Sequence, residues 1–159
     1  MKKYIYILII LLSSVNSYSH TDHYKGTSKI EMEVIRNEKV IGYSNYFFEH
    51  KNNKMTVKNY TKFNVDLFGV SVFSILSETT EIYENDKLIY FKSNTFQNKK
   101  EKYVNLKYDD KLQKFIIDGS SFKGKADADC VIGNWWNHKI LQTSKQISPL
   151  SGSVKEQVV

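Results

Sequence analysis

The chain is poor in residues that staple, break or read. It has one cysteine (Cys130), one proline (Pro149) and one arginine (Arg36) in 159 residues. A lone cysteine excludes an intrachain disulfide even in an oxidising compartment, so stability has to come from packing. With its only proline near the end, the chain has almost no ladder-breaking residue. The other 22 basic residues are lysines, which alternate with Asp, Glu and Asn instead of clustering. Nucleic-acid readers gather their cations on one face and use the planar arginine fork, so no nucleic acid is expected as a partner. The positive balance leaves room for a weak attraction to anionic membrane surfaces. No Gly-rich phosphate loop, paired zinc spacing or G-x-S-x-G elbow occurs. The carboxylate pairs Asp109-Asp110 and Asp127/Asp129 fall in turn-rich stretches, where Asp is common for backbone reasons. Hydrolase chemistry is unsupported, and no cofactor is expected.

A long hydrophobic run is also missing. The apolar stretch Tyr4–Leu12 has nine residues, well short of the roughly 20 needed to span a bilayer. It follows the basic start Met1-Lys2-Lys3 and precedes polar Ser13–Ser19, with small residues at Ser17 and Ser19. That is the tripartite pattern of a cleavable signal peptide over residues 1–19. An uncleaved membrane anchor is the alternative, disfavoured by the short run. No cysteine lies near the cut, so a lipid-anchored lipoprotein is not supported. The expectation is a periplasmic or secreted protein cut near Ser19/His20, with residues 20–159 forming one β domain. Loss of Lys2 and Lys3 would lower the formal charge from +6 to +4.

What the chain does have is period-two alternation, the signal of half-buried strands. Ile30, Met32 and Val34 alternate with charged neighbours, and Arg36–Lys39 turns into an aromatic-rich strand over Val40–Glu49. After Lys51–Lys54, the residues Met55, Val57, Phe63, Val65 and Leu67 share one parity. Phe68–Leu76 is the most apolar stretch, broken by Gly69, and runs on through Glu78–Glu84. Asn85-Asp86, Gln97–Lys100 and Asp109–Lys111 separate the later strands, with Phe115–Ile117 closing the series. Ser120–Asp129 reads as a loop. Short polar turns favour antiparallel pairing. The fold class expected is all-β, an antiparallel meander forming a curved or half-closed, barrel-like sheet. Gly133–Gln142 lacks alternation and is expected to form a short helical segment, with Trp135, Trp136, Ile140 and Leu141 as its apolar face. Val154–Val159 looks like the start of a strand.

Several short signatures carry a resemblance. They are Asn37-Glu38-Lys39-Val40-Ile41-Gly42-Tyr43, Glu81-Ile82-Tyr83 before Asn85-Asp86, Asn94-Thr95 with Asn98, and Trp136-Asn137 followed by Gln142 and Ser151-Gly152. Over most of residues 28–152 the chain resembles a family of exported proteobacterial proteins classed as a domain of unknown function. It is also similar, more distantly, to periplasmic lipoprotein-carrier-type curved sheets. Members of the family continue past the Gly152 position with further strands, so the resemblance implies a C-terminally incomplete domain with an uncovered edge.

The leading functional expectation is non-enzymatic binding of an apolar, lipid-like ligand or an envelope protein, with peripheral membrane contact. Phe68, Val70, Val72, Phe73, Ile75 and Leu76 include both parities, so they cannot all face one core. The candidate contacts are Phe68, Phe73, Leu76, Trp135 and Trp136, of which Trp136 is expected to pack across the open end of the sheet while Asn137 bonds local backbone. The rival is a copper site or metalloenzyme at a new N-terminus, where His20 would offer its amine and imidazole and His23, His50 or His138 a second imidazole. A solvated tail explains His20 and His23 more simply. Cys130 beside Asp129 and His138 suggests a thiol nucleophile, although a buried, inert cysteine is the commoner state. The third reading is a structural envelope component with no ligand.

Overall fold

The computed structural model describes residues 24–156. The alternation becomes eight strands: β1 (Lys29–Arg36), β2 (Lys39–Lys51), β3 (Lys54–Leu67), β4 (Val70–Glu84), β5 (Lys87–Gln97), β6 (Lys100–Asp109), β7 (Lys114–Gly119) and β8 (Lys123–Asp127). Each pairs antiparallel with the next, in the order β1 to β8, so the curved sheet has two free edges and does not close into a barrel. Bulges between Val34/Ile35, Val65/Asp66 and Ile82/Tyr83 bend β1, β3–β4 and β4–β5.

Turn chemistry sets the register. Four connections are two-residue turns with both residues at positive φ: Asn37-Glu38, Phe68-Gly69, Asn85-Asp86 and Asn98-Lys99. That is the type I′ pattern, whose twist matches the flanking strands. Asn and Asp tolerate the left-handed region because a short polar side chain bonds locally. Phe68, at φ 53°, has no such compensation.

The apolar parity of the sheet faces a second, smaller layer. β9 (Val131–Ile132), β10 (Lys145–Ile147) and β11 (Val154–Glu156) form a three-stranded sheet in which β10 runs parallel to β9 and antiparallel to β11. Ile132, Trp136 and Ile147 from this layer join Phe48, Met55, Val57, Phe91, Val104, Leu106, Phe115 and Ile117 of the large sheet in one buried cluster. Ser121 N–H donates to Ser151 O (3.0 Å) and Ser93 Oγ to Pro149 O (2.5 Å), which ties the last segment down on the sheet.

Three sequence readings are corrected. Phe68–Leu76 is not one strand bent at Gly69; a hairpin reverses there, because Phe68-Gly69 occupies the turn and β3 and β4 pair along their whole lengths. Ser120–Asp129 is not all loop: β8 pairs with β7 through backbone bonds that its Lys-Gly-Lys-Ala-Asp sequence does not advertise. The meander therefore ends one strand later than Phe115–Ile117. The short helical segment is a single 3-10 turn over His138–Leu141, capped by Asn137, whose Oδ1 accepts from Lys139 N–H at 3.0 Å. Trp135 and Trp136 precede that turn and do not form its face.

Gly42 leaves no room for a side chain between β2 and β3. A Cβ there would lie 2.1 Å from Lys62 O and 2.4 Å from Phe63 Cβ, both rigid parts of β3. Gly42→Ala should lower stability by about 1–3 kcal/mol, read as a lower urea midpoint with an unchanged slope. A variant as stable as the parent would show that the two strands can part without penalty.

Candidate functional site

The inward face of β2–β5 is organised in rows across the strands. The deepest row, Phe48–Val57–Glu81–Phe91–Leu106–Ile117, is apolar except for Glu81. The next two rows change character. One runs Tyr46–Asn59–Thr79–Ser93, the other Ser44–Thr61–Ser77–Thr95. Neighbouring hydroxyls pair along the second: Ser44 Oγ meets Thr61 Oγ1 at 2.7 Å, and Ser77 Oγ meets Thr95 Oγ1 at 2.6 Å. Asn59 Nδ2 donates to Ser44 Oγ (3.0 Å), and Thr61 Oγ1 donates to Asn59 Oδ1 (3.0 Å). Beyond these rows the face turns apolar again at Phe63, Phe73 and Ile75.

Small side chains where large ones would pack leave a void. A cavity of about 290 Å³ lies between these rows and the covering segment, closed on the far side by Gly133, Asn134, Trp135, Ser148, Pro149 and Leu150. Its exposed lining is mostly apolar, as in small-molecule sites with a few placed polar groups. Thr79 lines it and makes no side-chain hydrogen bond among the described residues.

Glu81 marks the cavity's deep end and fastens the cover to the sheet. Its Oε2 accepts from the Tyr83 hydroxyl at 2.7 Å, and its Oε1 from Asn134 Nδ2 at 2.5 Å and Trp136 Nε1 at 3.0 Å. Burial raises its pKa to about 7, against the opposing pull of these three donors; among the described residues no cation offsets it. Desolvation outweighs hydrogen bonding here. Burial, then Glu81 itself, pushes the Tyr83 hydroxyl well above its ordinary range, so Tyr83 stays neutral and Glu81 is the group that titrates. Trp136 packs edge-on against Tyr24, Phe48 and Tyr83, and Tyr24 Oη donates to Trp136 O at 2.6 Å.

Comparison with known families places residues 32–159 in a domain of unknown function, DUF6134. The chain belongs to this family. No curated protein and no solved structure matches it. For this DUF6134 member the site must therefore be argued from its own side chains.

Of the residues named from sequence, Phe73 and Trp135 line the cavity. Trp136 is 3% exposed and packed in the core, whereas Trp135 lines the cavity while remaining 58% exposed. Leu76 lies on the outer face and Phe68 at a fully exposed hairpin tip, neither in the cavity. His20 and His23 lie outside the described residues, as does the proposed signal peptide. His50 is exposed and its Nε2 lies 2.9 Å from Tyr24 O; among the described residues no cluster of His, Cys, Asp and Glu could hold a metal. Burial, then Asp129 and Asp127, raises the Cys130 thiol, the opposite of what a thiolate nucleophile needs. Sequence reading missed Glu81, Asn134 and the hydroxyl rows. The available signal was Glu81 on the inward parity of β4, between Thr79 and Tyr83.

A carboxyl whose pKa rises from the usual 4.5 to about 7 on folding favours the protonated native state. Its contribution is whole below pH 4.5 and is lost as the pH rises through about 7, a fall of about 3 kcal/mol across that window. Chemical denaturation at a series of pH values should show this decline in the parent and a flatter profile in Glu81→Gln. Equal profiles would show that Glu81 does not titrate in this range.

Proposed function

We propose that this DUF6134 protein is a non-enzymatic binder of a small, mainly apolar ligand held between β2–β5 and the covering segment. The observation that carries this is the cavity itself. It exists because three strands place Ser, Thr and Asn where packing alone would place larger apolar groups, and its volume of about 290 Å³ approaches the lower end of ligand sites, roughly 300–1,000 Å³.

The chemistry of the lining favours recognition by shape over recognition by charge. Phe63, Phe73, Ile75, Phe91, Trp135 and Leu150 supply apolar wall. Most of the hydroxyls satisfy one another, so they tolerate an apolar neighbour without being stranded. Thr79 is the exception, a free donor for one polar group on the ligand. A short acyl or cyclic hydrocarbon with a single hydroxyl or carbonyl fits these demands. Glu81 has its oxygens engaged by Tyr83, Asn134 and Trp136, so its part is to position the cover.

Titration with the small apolar fluorophore 1-aminoanthracene, followed by displacement with short-chain and cyclic alcohols and ketones, should give saturable binding that quenches tryptophan emission. Thr79→Leu fills the space and removes only an unpaired hydroxyl; affinity should fall about tenfold while the denaturation midpoint holds. Binding unchanged by Thr79→Leu would place the ligand elsewhere.

A further inference from the structure

The β3–β4 hairpin ends in a turn of the wrong composition. At the other three type I′ turns the first residue is Asn37, Asn85 or Asn98. Here it is Phe68, with its side chain fully exposed and its backbone at φ 53°. An aromatic residue in the left-handed region is strained, and it gains nothing from burial within the chain. Leu67, Val70 and Val72 beside it are also exposed. Further back, exposed Leu76 of β4 and exposed Phe96, its partner on β5, line a shallow groove between Lys62 and Lys99.

We propose that this hairpin tip inserts into the headgroup region of an anionic lipid bilayer, with Phe68, Leu67 and Val70 entering the apolar boundary. The arrangement of side chains favours a membrane over a protein partner. The patch is the width of one hairpin, whereas a stable contact with a second copy buries about 800 Å² on each partner. A bilayer accepts a narrow wedge, and its interface suits lysines that lay their stems along apolar surface with the ammonium in the headgroups. The turns on either side add Arg36, Lys39, Lys99 and Lys100, against Glu38 and Glu101, with Asp66 on the hairpin itself. Cations thus predominate around the apolar point, which matches an anionic surface. Phe63 and Phe73, which line the cavity, lie on these two strands just behind the tip. Docking does not depend on the cavity's holding a ligand.

Flotation with vesicles tests this directly. The full chain should bind vesicles of phosphatidylcholine mixed with phosphatidylglycerol, bind pure phosphatidylcholine more weakly, and release as salt is raised. Phe68→Asn installs the residue that the turn prefers, so the fold should be at least as stable, yet binding should fall roughly tenfold or more. Lys62→Glu combined with Lys99→Glu should weaken binding to the anionic vesicles. Thr79→Leu should float as the parent does, which separates this outcome from the fate of the cavity. Undiminished flotation of Phe68→Asn overturns the proposal. So does a dimer that Phe68→Asn dissolves in a protein that never binds vesicles.

Discussion

One buried carboxyl organises the two layers. Glu81 is the single ionisable group in a row of otherwise apolar inward residues, and three donors from β4 and the covering segment converge on it. A buried carboxyl is tolerated only when its oxygens are engaged. Asn134 and Trp136 therefore have to sit where they do, and with them the segment that closes the hollow. An apolar residue at this position would pack as well but would leave the indole N–H and the Asn134 amide without their acceptor. The carboxyl supplies direction where hydrophobic contact supplies only adhesion.

The cavity follows from a second constraint, the lateral register of the meander. Because β2 to β5 pair without a slip between the bulges at Val65/Asp66 and Ile82/Tyr83, residues of like size line up across the sheet. Ser44, Thr61, Ser77 and Thr95 come from four separate stretches of sequence, yet they form one continuous band. The cover spans that band, with Trp135, Pro149 and Leu150 on its inner side. The void is thus a property of the alignment and belongs to no single residue.

That distinction explains what could be read in advance. The strands, their parity and five of the turns were legible because alternation and Asn/Asp chemistry are local signals. The Phe68-Gly69 turn was hidden because a bulky phenylalanine is not expected at positive φ, and β8 because Ala126 is its single buried apolar side chain, too little for a hydrophobic pattern. The site was mostly illegible. Phe73 and Trp135 were conspicuous as apolar residues, but Glu81, Asn134 and the hydroxyl band acquire meaning only when distant segments meet. Asn134 reaches Glu81 across 53 positions of sequence, and no local pattern reports such a partnership.

The order of the strands also has a kinetic consequence. Every strand pairing within the large sheet joins neighbours in sequence, so hairpins can zip one after another with little loop entropy lost at each step. The covering layer depends on distant partners and follows the large sheet in the chain. The hollow face is built wholly from residues 29–127, and residues 131–156 roof it. The way into that space therefore lies along the seam between two layers, with no wall of strands to be pierced.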